Sequence, residues 1–257
     1  MQPPAPKITL YSIPISHPVH ATRLMLDYKG LPYKRIDLPN GAHALILRLL
    51  GFSRGSAPAI KIDGHRVQGT LEISRELDLI KPDPPLFPAN AAERTKVEEA
   101  ERWGERELQP IGRFAAIASF ERDRSTLPEL TADANLPLQP PPRFVAAASK
   151  PLVMIQRFRH KADDAPVRAA LSKLPAALNR VEELLDEGVI GGDRPNAADF
   201  QIATSVRVLL LFDDLRPLIE DRSCSRYARD LIPRYPGHIP AVLPREWLEP
   251  LRTAAPV

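Results

Sequence analysis

Apolar and polar positions alternate at Ile8, Thr9, Leu10 and Tyr11, with proline on either side, and this period of two predicts a short strand. A polar turn follows from Ser12 to His17. Pro18 suits the first helical position, where its missing N–H is one of the donors a helix start leaves unpaired, so the cap falls on Ser16 or His17. Ala21, Leu24, Met25 and Tyr28 then make one apolar stripe at helical spacing, which Gly30 and Pro32 close. The alternation returns over Tyr33 to Leu38. A helix lies between the two strands, which predicts parallel pairing in a βαβ unit.

Ala42 to Leu50 reads as a helix stopped by Gly51, although its nearly continuous leucines leave the buried face open. Two short strands flank Asp63-Gly64, a strong hairpin signal, and Pro58 stands at the entrance of the first, with a cis or a trans bond. Thr70 to Ile80 carries Ile73, Leu77 and Ile80 on one face, a third helix. The order βαβαββα occupies residues 1–81. Residues 82–90 belong to a proline-rich linker that neither a helix nor a central strand can accommodate.

Residues 91–257 read as all-helical. Ala91 to Phe120 is one long helix with a kink at Pro110, and residues 121–142 are an irregular, proline-rich excursion or lid. Helices resume at about 143–161, kinked at Pro151, at 166–186 and at 196–212, with a shorter one near 215–232 and a coil-like tail. Asn196 to Asp199 is spaced as a capping box. The fold class is therefore α/β followed by all-α.

Composition narrows the chemistry. The 257 residues are 44% hydrophobic, enough for a substantial core, and the 29 prolines gather at element boundaries. Lys and Arg exceed Asp and Glu by only 3 charges, scattered along the chain, which argues against nucleic acid as the main partner. No apolar run approaches the roughly 18 residues that span a bilayer, and no basic, apolar leader opens the sequence, so the expectation is a soluble cytoplasmic protein without a membrane partner. The one cysteine, Cys224, cannot form an internal disulfide, a CxxC pair or a thiolate metal cluster, and reads as a small buried residue.

The segment Leu10-Tyr11-Ser12-Ile13-Pro14-Ile15-Ser16-His17-Pro18-Val19, with the domain order around it, resembles the cytosolic glutathione S-transferases of serine type, bacterial-like in character, over nearly the whole chain. The resemblance implies a thioredoxin-like first domain, a helical second one, a cytoplasmic homodimer and a role in detoxification. It implies glutathione as co-substrate and no metal. Ser16 then donates to the glutathione sulfur and holds it as thiolate, with Ser12 and Tyr11 as weaker substitutes. Read from the residue alone, Ser16 is a helix cap. Ala57-Pro58 is placed like the family's cis-proline, whose preceding residue pairs with the cysteinyl part of glutathione. Val67-Gln68-Gly69-Thr70 resembles the segment that meets the γ-glutamyl group, with Thr70 in a serine's place. Here the chain departs from the pattern: Gly69 stands where a γ-amino-binding side chain belongs, Gln68 is one place off, and Ser56 replaces a lysine. Arg54 is left as partner for the glycyl carboxylate.

For the electrophile, Trp103, Arg106, Gln109, Arg113 and Phe114 on the long helix are the candidates, with His17, which a loop would leave exposed and which supports an anion only when protonated. Arg106 and Arg113 favour an anionic or carbonyl-bearing substrate. A branch of the family that uses a loop cysteine is excluded, since none is present. The competing expectation keeps the fold without catalysis: a ligand-binding or protein-interaction module, favoured by Gly69 and Ser56.

Overall fold

The computed structural model describes residues 5–39, 41–136 and 141–253. Four strands, β1 (Ile8–Ser12), β2 (Tyr33–Asp37), β3 (Ala59–Ile62) and β4 (His65–Gln68), form one sheet in the order β2-β1-β3-β4. β1 runs parallel to β2, with Leu10 opposite Arg35, and antiparallel to β3, with Leu10 opposite Ile60. The β3–β4 hairpin turns at Asp63 and Gly64, both left-handed at φ 47° and 93°, the conformation a two-residue turn of matching twist demands. Helices α1 (His17–Tyr28), α2 (His43–Leu49) and α3 (Thr70–Ile80) complete the domain. Gly30 at φ 56° and the Leu31 N–H to Leu26 carbonyl bond end α1 in the way its glycine predicts. In α2, His43 and Leu47 face inward, and Leu45 and Leu49 face solvent. This is a thioredoxin-like βαβαββα domain, as the periodicity and the resemblance together imply.

The proline-rich segment is docked. Leu86 and Phe87 are buried, the Leu86 N–H donates to Asp78, and the guanidinium groups of Arg75 and Arg94 lie over the Phe87 ring. The helical half comprises α4 (Ala91–Trp103), α5 (Gln109–Arg122), α6 (Leu127–Leu130), α7 (Pro142–Ala148), α8 (Lys150–His160), α9 (Asp164–Leu171), α10 (Leu174–Asp186), α11 (Ala197–Leu209), α12 (Ser223–Leu231) and α13 (Arg245–Thr253). α11 is its axis, buried on nearly every face and packed on α1, α4 and α12. One core cluster runs from Ile8 and Leu10 in the sheet through α11 to Leu251.

Several expectations are corrected. The long helix stays helical from Ala91 to Arg122, and its irregularity is a π-helical turn over Gly104–Leu108, just ahead of Pro110. The helices expected over 143–161 and 166–186 each divide in two, at Ser149 and at Ser172-Lys173, two or three residues before Pro151 and Pro175. The excursion contains α6 and a turn at 131–133, and Gln139 and Pro140 near its end lie outside the described residues. The tail is not coil: α13 buries Trp247, Leu248 and Leu251 on one face. No helix among the described residues is long and apolar enough to cross a membrane.

Candidate functional site

The loop between β1 and α1 is held open by its own backbone. The Ser12 carbonyl accepts from Leu38 N–H at 2.8 Å, the Ser16 N–H donates to the Ile13 carbonyl at 3.2 Å, and Ile15 between them is left-handed at φ 64°. For a β-branched residue that conformation is strained, by about 1–2 kcal/mol. Ser16 occupies the cap position of α1, yet its side chain makes no capping hydrogen bond; the hydroxyl is half-buried and lines a cleft between the two halves. An anion there meets the unpaired amides and the positive end of the helix dipole. Ser12 also lines the cleft, whereas Tyr11 turns away and packs edge-on against Phe52.

Ala57 borders the same cleft, just ahead of β3, and its bond to Pro58 is cis. The Pro58 carbonyl accepts from the Gly69 N–H at 3.0 Å, joining this corner to the start of α3. That second corner is filled by the chain's own groups. Gly69 caps α3 at φ 104°, and a Cβ there would collide with the Glu72 carboxylate and lie 2.9 Å from Arg54 Nη2. Arg54 is bound to Glu72 at 2.8 Å and also donates to the Gln68 carbonyl, while the Gln68 side chain accepts from Arg54 N–H at 2.8 Å and donates to the Ser56 carbonyl at 2.7 Å. Thr70 is almost wholly buried. Arg54, Gly69 and Thr70 are thus brought together, but outside the cleft that Ser16 lines.

The cleft has a volume of about 520 Å³. Its far wall is one stripe of α5, Gly112, Arg113, Ala116, Ile117 and Phe120, joined by α8 through Arg159 and His160. Trp103, Arg106 and Phe114 are not on it. The π turn adds a residue to one helical turn, which rotates Trp103 out of phase with α5; Trp103 and Phe114 pack on the core, and Arg106 is exposed. Gln109 is buried against Gln201.

His17 corrects another expectation. It is 6% exposed, and its pKa is pushed down to about 3, first by burial and then by Arg113, against a hydrogen bond to the Gln109 backbone. His43 and His160 are lowered to about 4, each by burial first and then by the neighbouring arginines. These rings are neutral at pH 7. Arg35, Asp37, His43, Arg159 and His160 also line the cleft, and no motif singled them out. Arg159 reaches His43 Nε2 at 3.1 Å across 116 residues of chain, so only the folded molecule shows the pair. Among the described residues, no three His, Cys, Asp or Glu side chains are grouped to hold a metal ion. Cys224 is buried far from the site, its thiol pushed up to about 12, chiefly by burial.

Residues 10–85 match the family model of the glutathione S-transferase N-terminal domain. The first domain is thus similar in sequence to the N-terminal domain of the glutathione S-transferases. No curated protein matches it by sequence. Among solved structures, poplar glutathione transferase F1 is 16% identical, covers 96% of this chain and 98% of its own, and superposes with a TM-score of 0.59. The β-etherase LigF of Sphingobium sp. strain SYK-6 is 15% identical over 87% of this chain and 99% of its own, with a TM-score of 0.59. Rice GST1, solved in complex with glutathione, is 16% identical over 99% of this chain and 92% of its own, with a TM-score of 0.54. At these identities the likeness is one of fold. The segment matched to the glutathione S-transferase model takes in Ser16, Arg54, Ala57, Pro58, Gly69 and Thr70, and the arginine-lined wall on α5 and α8 lies outside it.

Proposed function

We propose that this protein is a glutathione transferase in which the Ser16 hydroxyl donates to the glutathione sulfur and holds it ionised. The observation that carries this reading is the Ser16 side chain itself, which stands at a helix start without capping it and borders the cleft. The strained Ile15 beside it is consistent with a loop shaped for a ligand. A free thiol titrates at about 8.5, and a shift of about 2 units, worth roughly 2.7 kcal/mol, ionises most of it at neutral pH. One hydroxyl and a helix dipole are of the right size to supply that. The backbone of Ala57 pairs with the cysteinyl part. The thiolate then attacks an electrophilic carbon in the cleft, a carbon–sulfur bond forms, and the leaving group departs with its electron pair. Positioning and charge stabilisation do the rest. The reading includes a cytoplasmic homodimer acting in detoxification.

Arg54, Gly69 and Thr70 would meet the ends of the tripeptide, and Arg54 must exchange Glu72 for a carboxylate of glutathione to do so. That closed corner favours a second reading, a ligand-binding or interaction module with the same fold and no transfer step. The deciding experiment is turnover of glutathione and 1-chloro-2,4-dinitrobenzene, with glutathione-induced stabilisation measured in parallel. The expected outcome is a fall in kcat/KM of up to about 25-fold at pH 7 in Ser16→Ala, the loss of thiolate when a thiol pKa of about 6.5 returns to about 8.5. Equal rates in the two proteins remove Ser16 from its role. Absence of both turnover and a glutathione-dependent rise in Tm in the wild type establishes the second reading.

A further inference from the structure

The charged groups of the cleft fall into two sets. At one side Arg35 binds Asp37 at 2.8 Å and Asp133 at 3.1 Å, Arg23 lies 3.9 Å from Asp133, and the Asn135 N–H donates to Asp37 at 2.7 Å. In this set each cation faces an acid. On the far wall no acid among the described residues is in contact with the arginines: Arg159 is held by a ring nitrogen of His43 and by the Gly55 carbonyl at 2.8 Å, both neutral. Arg113 has neither hydrogen bond nor ion pair among the described residues, and Glu105 acts on it only at longer range. Burial opposes the charge of Arg113, and Arg159 adds repulsion to it.

Such an arrangement is costly for an empty cleft. Two cations share a partly desolvated wall with neutral histidines, and a buried cation without a partner is among the more expensive states a side chain adopts. His17 at the start of α1, nine-tenths buried and neutral, brings no counter-charge to them. Around these polar groups the surface is apolar, formed by residues such as Ile13, Val19, Ile117, Phe120 and Val153. The complement is an apolar body carrying a negatively charged head.

We propose that the wall bearing Arg113 and Arg159 is a binding site for the carboxylate of an apolar, aromatic acid. Calling that acid the electrophilic substrate rests on the transferase reading; the binding site itself does not. Arg106, exposed on the π turn, has no part in it. A guanidinium holds a carboxylate through paired N–H donors, and Arg113 keeps all of its donors free for that purpose.

The test needs no thiol. Wild-type protein is titrated with 1-naphthoate and, separately, with methyl 1-naphthoate, the neutral ester of the same ring system, following ligand fluorescence. The acid is expected to bind at least about 10-fold more tightly than the ester, with that preference falling to near unity in Arg113→Met and partly kept in Arg113→Lys. Arg159→Gln, which breaks the second cation on another helix, is expected to reduce the same preference. Ester and acid binding equally well to the wild type overturns the proposal, as does an acid preference unchanged in both Arg113→Met and Arg159→Gln. A failure of the Ser16 experiment leaves these titrations untouched, so the two readings fail separately.

Discussion

The starts of α1 and α11 are the same local problem with opposite solutions. At α11 every group is engaged: Asn196 Oδ1 accepts from the amides of Ala198 at 2.9 Å and Asp199 at 3.2 Å, and Asp199 Oδ2 accepts from Asn196 N–H at 2.8 Å. The other Asp199 oxygen accepts from Gly191 N–H at 2.7 Å and from Tyr227 O–H at 2.8 Å. At α1 the cap residue Ser16 makes no such bond, and the residue before it is strained. The start of α3 lies between the two, with glycine at the cap and Glu72 folded back onto Arg54. A helix start that satisfies itself serves the fold; in the proposed reading, the open one at α1 serves a ligand.

That contrast can be broken by measurement. Removing Asp199 as Asp199→Ala leaves three donors without their acceptor in the core, and the expected loss is about 3 kcal/mol in chemical denaturation. A loss below about 1 kcal/mol shows that the α11 start is not the fold's anchor. At α3, Gly69→Ala introduces a Cβ at φ 104° against Glu72 and Arg54, with an expected cost of about 2 kcal/mol from backbone strain and displaced side chains. Adding Glu72→Ala should recover the side-chain part of that loss, since the Arg54–Glu72 pair is more than half exposed and contributes little by itself. The smallest effect is expected at α1. Ser16→Ala should change stability by less than about 0.5 kcal/mol, because no capping bond is lost, even while it alters thiol chemistry. A Tm drop equivalent to a lost cap of about 1 kcal/mol would make Ser16 structural.

The residue pattern along the chain determined most of the architecture. Period-two stretches around Leu10 and Ile60, the stripe through Met25, the Asp63-Gly64 turn and the Asn196–Asp199 box are local signals, each set by neighbours within a few residues, and the structure forms each of them. The positions of Ser16, Ala57 and Pro58 at element boundaries were legible for the same reason, while the roles assigned to them come from the family resemblance alone. Local signals fail where a proline stands near a break without causing the break expected of it. Around Pro110 the helix continues, and the π turn ahead of it shifts Trp103 off the face that Arg113 and Phe120 share.

Only tertiary structure decided what surrounds the cleft. The Arg159–His43 contact joins two helices separated by more than a hundred residues, and the Arg35–Asp133 pair joins a strand to the excursion. Burial likewise turned His17 from a loop residue into a neutral wall residue, since its desolvation depends on α5 packing over it. Which arginines are paired and which stand free is a property of distances across the cleft. Short-range spacing fixes φ and ψ preferences and which face is apolar; dielectric environment and charge pairing are sums over every element that converges on a point, and those converge only when the chain folds.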